Sequence, residues 1–278
     1  MKIFRIIAFL TPLLMTSVQI SESRAQEAKG DLLRGMKASN RGDYVSAYKE
    51  FRPLAERGLA LAQYFLGNLY NGGRGVAQDQ VEAMKWYRKS ALQGFELAQF
   101  TLGAHYEKGI GAPQSYEEAL GWYRKAANAE FGPAQTALGM MYLNGTGVSK
   151  DMSEGIKWIR KGAQNRHRDA QAVLGTLYWK GLGVEQDRRE GVMWFRKAAM
   201  QGLPQAQYGL GIAYVNGFGV EASVVRAHMW LSLAAKQGMK SALDKREFIA
   251  ASMNDTQVEE SKKMARDIEI EIRARNKK

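Results

Sequence analysis

Between residues 61 and 238, apolar and polar positions follow a pattern that recurs every 36 residues. Each unit of the pattern contains two stretches in which apolar residues fall three and four positions apart, the spacing of one face of a helix. In the first unit these residues are Ala62, Leu66, Leu69 and Tyr70, followed by Ala83, Trp86, Tyr87 and Ala91. Five gapless copies of this unit predict an all-α fold in which helix pairs stack as an α/α solenoid.

Polar residues and glycines predict where these helices end. Gly73 and Gly75 follow the first helix of the first unit, and both glycines recur in every unit. Such loop glycines indicate positive φ angles at a helix end. Asp79 then stands where its side chain can cap the second helix, and aspartate or serine holds this place in each copy. A phosphate-binding loop is excluded at these glycines, since no GxxxxGK[ST] pattern follows and no strand precedes them.

Two recurring residues inside the helices predict close packing. Gly67 lies within the first helix, where a glycine costs about 1 kcal/mol relative to alanine. Because five copies carry this glycine, we expect a neighbouring backbone or tryptophan ring to pack against it. Trp86 also recurs once per unit, and a tryptophan at one fixed helix position is more typical of a core residue than of a binding site.

The segments on either side of the repeats are predicted to cap the stack. Residues 26–60 form an N-terminal cap of two helices. Glu50 occupies the place of the recurring tryptophan there, which suits a terminal unit with nothing stacked outside it. Residues 239–278 form a C-terminal cap, in which Thr256 and Glu259 are spaced as a capping box at the start of a long final helix.

Residues 1–25 have the features of a cleaved export signal. Two basic residues precede a mostly apolar stretch over 6–15, and Ser23-Arg24-Ala25 supplies small residues at the positions that a signal peptidase reads. The apolar stretch is shorter than the roughly 20 residues that a membrane span needs. We therefore expect cleavage after Ala25 and a mature chain in the periplasm without transmembrane insertion, with secretion from the cell as the alternative.

Composition limits the chemistry that the chain can perform. It contains no cysteine, so an exported form would have no disulfides and would depend on stacking for its stability. A formal net charge of +12 favours anionic partners, envelope surfaces or a solvated basic surface, and an exported protein is not expected to meet nucleic acid. His105, His167 and His228 lack metal-ligand spacing, and no pattern marks a nucleophile. We predict no metal, no cofactor and no catalytic residue.

Read together, the recurring residues give the pattern AQxxLGxxYxxGxGVxxDxxxAxxWYRKAAxQG. This pattern resembles the Sel-1-like repeat, a relative of the tetratricopeptide repeat with a glycine-bearing loop between its helices. The resemblance implies a right-handed α-solenoid that acts as an adaptor between other proteins. Some exported relatives are linked to penicillin-binding or β-lactamase activity, but those are cysteine-rich, so the activity is not expected in this cysteine-free chain.

Positions that vary between the units predict where a partner binds. Once the recurring core residues are set aside, repeat positions 64, 68 and 71, numbered by the first unit, remain variable and share one face of the first helix. We call this face the binding stripe and expect it to line the concave groove of the solenoid. Its predicted partner-binding residues are Tyr64, Asn68, Asn71, Phe100, Glu107, Met140, Leu143, Thr176, Trp179, Tyr208, Ile212 and Val215, and the stripe is completed by Ala104, Thr136 and Ala172. The alternative is that half of the stripe packs between neighbouring first helices.

Taken together, these features favour a monomeric, non-enzymatic scaffold in the cell envelope that holds a segment of a partner protein in its concave groove. A periplasmic sensor domain or an envelope assembly would be a suitable client. Two alternatives stay open. One is a secreted factor that binds host proteins by the same groove, and the other is a cell-wall or β-lactam hydrolase, which would need a pocket with a nucleophile or a metal.

Overall fold

The computed structural model describes residues 26–275, so the predicted export signal and the last three residues lie outside the described range. All regular secondary structure in that range is helical. The helices are α1 (26–40), α2 (Tyr44–Glu56), α3 (Ala60–Gly72), α4 (Gln80–Leu92), α5 (Glu96–Lys108), α6 (Tyr116–Asn128), α7 (Gly132–Asn144), α8 (Met152–Gln164), α9 (Arg168–Lys180), α10 (Arg188–Ala199), α11 (Pro204–Asn216), α12 (Val224–Lys236), α13 (Lys240–Ala250) and α14 (Asp255–Arg275). The predicted all-α fold of five helix pairs, α3–α4 to α11–α12, is confirmed.

The chain divides into two compact units between Trp122 and Tyr123, within α6. In the first unit, α1 packs on α2, and α2 to α5 pack in chain order. In the second unit, α7 to α12 pack in chain order, and α13 and α14 both pack on α12. From α1 to α5 and from α7 to α13, helices that are neighbours along the chain are thus neighbours in space, which is how a helical solenoid is built.

Side chains at the predicted positions cap the second helix of each repeat. Asp79 has an extended backbone, so its carboxylate points at the free amides of the first turn of α4. Its Oδ1 atom accepts a hydrogen bond from the backbone N–H of Glu82 at 2.9 Å. The equivalent bond is accepted by Ser115, Asp151, Asp187 and Ser223. The caps predicted from the sequence are confirmed.

The paired glycines of the loop have two different functions. Gly73 and Gly75 both have positive φ, at +62° and +73°, and Gly73 ends α3 in the left-handed conformation. A Cβ atom at Gly75 would lie only 2.3 Å from the backbone oxygen of Tyr44, the first residue of α2. The loop within one helix pair therefore touches the first residue of the second helix of the preceding pair, and only a glycine fits at that contact. Gly219 makes the same approach to Arg188, with 2.4 Å from its Cβ position to the backbone oxygen.

The helical glycines also mark close packing: the predicted backbone neighbour is found, with 3.3 Å from the Cβ position of Gly67 to the backbone oxygen of Ala83, but the neighbouring ring is not the predicted tryptophan. A Cβ atom at Gly67 would lie 2.6 Å from the ring of Tyr87. Trp86 instead packs in a cluster with Leu54 and Ala62 and faces the preceding helix pair. Because Tyr87 and Trp86 are adjacent in sequence, they point to different sides of α4, and Tyr87 faces α3.

The recurring tryptophans lie in the core, as predicted, with one partial exception. Trp230 has 4% of its surface exposed and Trp86 has 9%. Trp194 is half-buried, and its indole N–H donates a hydrogen bond to Glu190 at 2.8 Å. The ammonium group of Lys197 lies 3.9 Å from the centroid of the Trp194 ring, a cation–π contact on the ring face.

A ladder of amide side chains joins successive repeats. Gln171 is buried, and its Nε2 atom donates to the backbone oxygen of Ala163 at 3.1 Å. Its Oε1 atom accepts a hydrogen bond from Gln201 Nε2 at 2.8 Å. Asn165 makes the corresponding bond to Gln135 at 3.0 Å. The bond to Ala163 therefore joins the fourth repeat to the third, and Gln201, at the end of the fourth repeat, supplies the donor that the buried oxygen of Gln171 needs.

We expect Gln201→Ala to lower the free energy of unfolding by about 1–3 kcal/mol, because the buried Oε1 atom of Gln171 would lose its donor. Gln201→Asn is the matched control, since Asn165 fills the same position in another repeat and donates the same bond. Urea titration followed by circular dichroism measures both variants. Equal stability of the alanine and asparagine variants would contradict a structural role for this bond.

The structure corrects one detail of the end caps. The capping box at the start of α14 is formed by Asn254 and Gln257, not by the predicted Thr256 and Glu259. The backbone N–H of Gln257 donates to Asn254 Oδ1 at 2.9 Å, and the N–H of Asn254 donates to Gln257 Oε1 at 3.1 Å. The predicted box was two residues late because asparagine and glutamine satisfy the same geometry as threonine and glutamate. At the other end, Glu50 forms an ion pair with Arg34, at 3.4 Å between Oε1 and Nε.

The final helix is held on α12 by a buried polar contact. His228 Nδ1 lies 2.7 Å from the hydroxyl oxygen of Ser261, and both side chains are buried. Burial lowers the pKa of His228, and the positive charges of Arg246 and Lys262 lower it further. A neutral imidazole is therefore favoured in the folded protein.

This contact predicts that acid destabilises the packing of α14. A histidine whose folded-state pKa is below its ordinary value of about 6.5 contributes stability that is fully present above pH 6.5 and is lost as pH falls through the folded-state pKa. Thermal melting between pH 7.5 and pH 5 should therefore show a falling midpoint. His228→Gln should reduce this dependence, and an unchanged slope in that variant would assign the effect to other groups.

Candidate binding groove

In the first unit, the aromatic member of the binding stripe is packed against other rings. The ring centroid of Tyr64 lies 5.8 Å from that of Tyr87 and 5.4 Å from that of Phe95. Asn68 Oδ1 accepts a hydrogen bond from the Tyr87 hydroxyl at 2.8 Å. The backbone oxygen of Asn71 accepts one from a glutamine of the following loop. These residues are half-buried and take part in the packing of α3 on α4.

The remaining members of the stripe differ in how far they are buried. Phe100 and Glu107 are half-buried on α5, as is Ile212 on α11. Tyr208 and Val215 pack against the core cluster of the second unit. Leu143 is a core residue, with 9% of its surface exposed. Trp179 packs against the rings of Phe195 and Phe218, with centroid distances of 5.9 and 6.0 Å.

Three predicted residues of the stripe come together at one groove in the second unit. Met140, Leu143 and Thr176 line a cavity of about 570 Å³ between α7 and α9, which we call the α7–α9 groove. The other lining residues are Asn144, Lys150, Met152, Asp169, Ala172, Val173, Leu177, Leu182, Phe195, Leu203 and Gln205. Most of these side chains are apolar, so the groove suits the apolar part of a ligand.

The groove is open because one repeat carries a small residue where others carry a large one. Ala172 is the fourth-repeat equivalent of Tyr64, and Phe195 and Leu203 are the equivalents of the two rings on which Tyr64 packs. The methyl group of Ala172 cannot cover these two side chains, which therefore line the groove.

The preceding repeat closes the same space in another way. Thr136 stands at repeat position 64 there, and His167 stands at the position of Phe95. Their side chains are joined by a hydrogen bond of 2.7 Å between Oγ1 and Nδ1. Thr136 also donates to the backbone oxygen of Gly132 at 2.8 Å. The pair of Thr136 and His167 fills this space in the third repeat, whereas Ala172 leaves it open in the fourth.

Polar side chains stand at the rim of the groove. Asp169 Oδ2 lies 3.3 Å from Nε2 of His167. Burial lowers the pKa of His167, while the nearby Asp169 carboxylate opposes this shift. Lys150 is exposed, and no carboxylate within residues 26–275 forms an ion pair with it. The rim thus presents one positive charge that is not neutralised by the chain itself.

Sequence reasoning placed Ala172 in the binding stripe without identifying it as a gap, and it missed Phe195, Leu203 and Leu182 as lining residues of the groove. The signal was present in the repeat, since position 64 carries its smallest side chain, the alanine at 172, in the fourth unit. In residues 26–275, no three His, Cys, Asp or Glu side chains are grouped so as to hold a metal ion. No helix of that range is long and apolar enough to cross a membrane.

Comparisons with known proteins agree with the repeat pattern. The profile of the Sel1 repeat matches residues 60–95, 97–131, 132–167, 168–203 and 204–239. Among solved structures, a Sel1 repeat protein from Oxalobacter formigenes is 32% identical, with a TM-score of 0.71, and the match covers 78% of this chain and 86% of that one. No curated protein sequence matches the chain.

Two more distant structures share the fold. The protein c5321, described as a protective antigen of uropathogenic Escherichia coli strains with an SLR fold, is 25% identical, with a TM-score of 0.50, over 87% of this chain and 68% of that one. The protein 5086 of Pseudomonas aeruginosa is 20% identical, with a TM-score of 0.51, over 76% of this chain and 81% of that one. At this identity the last match supports the fold alone.

Proposed function

Because the chain belongs to the Sel1 repeat family, whose members generally serve as protein-interaction scaffolds, we propose that it is a non-enzymatic scaffold that binds a segment of a partner protein in the α7–α9 groove. The observation that carries the proposal is the apolar groove itself, formed where the repeat lacks a large side chain at Ala172. An opening of this kind breaks the pattern of the repeat, and residues that the fold does not require are the ones free to serve binding.

We further propose that the protein works in the cell envelope, with a sensor domain or an envelope assembly as its client. The support is the signal-like sequence of residues 1–25. A secreted factor that binds host proteins is the second candidate, and the similarity to a protective antigen of uropathogenic Escherichia coli favours it. Fractionation of cells that express the full chain separates the two, since the mature protein would be found either in the periplasm or in the medium.

The groove is tested by filling it. Ala172→Tyr restores the ring that Tyr64 supplies in the first repeat, so the variant should fold and should lose its partner. A photo-crosslinking amino acid at Gln205, an exposed residue of the rim, reports the partner in cells. The same group at Leu92, 69% exposed and in the first unit, is the control for nonspecific capture. We expect one protein crosslinked from Gln205 alone and its loss in Ala172→Tyr.

A partner that is still crosslinked at Gln205 in the folded Ala172→Tyr protein would contradict the groove assignment. Alanine substitution of Tyr64 or Trp179 is a poorer test, because both rings are packed against other side chains and their removal would disturb the fold. The hydrolase alternative is tested separately, by incubating the purified mature chain with a β-lactam and with peptidoglycan. Turnover of either would overturn the scaffold proposal.

A further inference from the structure

Resting on the proposed function, we infer that the α7–α9 groove recognises its partner by an aromatic side chain that has an acidic residue beside it. The first repeat contains an internal copy of this interaction. There the ring of Tyr64 packs 5.8 Å from the ring of Tyr87 and 5.4 Å from that of Phe95, measured between centroids. Phe195 and Leu203 stand at the equivalent positions of the fourth repeat and form the floor of the groove, each with 7% of its surface exposed, and Ala172 supplies no ring above them. A ring from a partner can occupy the space that Tyr64 fills in its own repeat.

The floor of this site is rigid before any partner arrives. A Cβ atom at Gly175 would lie 2.7 Å from the Phe195 ring, and one at Gly209 would lie 3.3 Å from it. The ring of Trp179 packs on the same phenylalanine at 5.9 Å between centroids. Phe195 is therefore fixed by close contacts, and only 7% of its surface is exposed. A ring that binds against it loses its own freedom without requiring the floor to rearrange.

The walls favour a large apolar side chain over a polar one. Val173 and Leu177 of α9 and Met140 of α7 line the groove, and Leu182, 45% exposed, stands at its edge. An aromatic group buries the most apolar surface in such a site for the smallest loss of rotational freedom. The cavity of about 570 Å³ also leaves room for the residues that flank the ring.

Charge at the rim determines what the flanking residue should be. Lys150 is exposed at the edge of the groove and forms no ion pair with a carboxylate of residues 26–275. Asp169, the acidic residue of the rim, lies 3.3 Å from Nε2 of His167 and forms no ion pair with Lys150. The formal charge of the whole chain, +12, adds a general attraction for anions. An aspartate or glutamate next to the partner's aromatic residue would neutralise Lys150, whereas a lysine or arginine there would be repelled.

A displayed library of random peptides tests this inference on the mature chain. Selection on the wild-type protein, with removal of peptides that also bind Ala172→Tyr, should enrich an aromatic residue adjacent to an acidic one. A synthetic peptide of the enriched sequence should lose at least tenfold in affinity when its aromatic residue is changed to alanine. Lys150→Glu should weaken the same peptide about threefold or more and should improve a version in which the acid is replaced by lysine.

The outcomes separate this inference from the proposed function. Enriched peptides that need the open groove but lack an aromatic residue would overturn the inference and leave the scaffold proposal intact. Peptides that bind wild type and Ala172→Tyr equally would overturn both. If the selection enriches no peptide at all, the inference that the groove binds a short segment through one aromatic side chain is overturned. If Ala172→Tyr fails to fold, as judged by circular dichroism, Leu182→Glu replaces it, because that exposed side chain can be changed without opening the core.

Discussion

Gly219→Ala is expected to lower the free energy of unfolding by about 2–5 kcal/mol, since it combines a left-handed backbone with a direct steric clash. Gly219 has a φ of +70°, and an added Cβ atom would lie 2.4 Å from the backbone oxygen of Arg188. A backbone atom cannot rotate away as a side chain can. The loop before α12 would have to separate from the start of α10, and urea titration with hydrogen exchange should find the loss in the last two repeats.

Gly238→Ala is the matched control for this prediction. Its φ is +87°, but no atom lies within 4 Å of the position of an added Cβ. This variant therefore bears only the backbone cost, about 1–2 kcal/mol. The difference between the two variants measures the close approach of loop and helix. If both variants lose the same free energy of unfolding, the close approach of Gly219 to Arg188 does not contribute to stability.

Trp230→Ala is expected to cost about 3–5 kcal/mol, the usual range for removing a buried tryptophan. Trp230 lies in the core cluster of the second unit with 4% of its surface exposed. No small side chain can fill the space that the indole occupies between α12 and its neighbours, so a cavity would remain. The same denaturation experiment measures the loss, and hydrogen exchange should show it first in α12 and in the helices that pack on α12, namely α11, α13 and α14.

Trp194→Ala provides the comparison, because the two residues occupy the same repeat position. Trp194 is half-buried and is covered on one side by Lys197, so its removal takes less apolar surface out of the core. We expect a cost of about 2 kcal/mol, in proportion to the smaller buried area. Equal losses in the two variants would mean that the position of the tryptophan in the repeat, rather than its burial, sets its contribution.

Much of the fold could be predicted because its signals act over a few residues. The cap at Asp79 is formed with an amide three residues away, and the positive φ of Gly73 follows from the helix end that it terminates. The period of 36 residues then carries each local assignment to the other repeats. The error at the capping box of α14 arose where two overlapping sequences, starting at Asn254 and Thr256, both satisfy the same local rule.

The binding stripe was predictable as a face, but its exposed members were not. Tyr64 and Leu143 belong to the stripe, yet the first packs on two rings and the second lies in the core. Met140 and Thr176 do line a groove. Periodicity identifies which side of a helix a residue occupies, whereas exposure also depends on the size of the side chains that other helices bring to the same place.

By itself, then, the sequence determined the repeat, the ends of its helices, the capping residues and the glycines that end the first helices, such as Gly73, because each of these depends on contacts within one helix pair. The tertiary structure decided which positions stay open. The α7–α9 groove exists because Ala172 of α9 meets Phe195 of α10 and Leu203 before α11, so three separate segments must be in place before the missing ring leaves a cavity. The candidate function lies in that cavity, since it is the place where the repeat does not fill its own core.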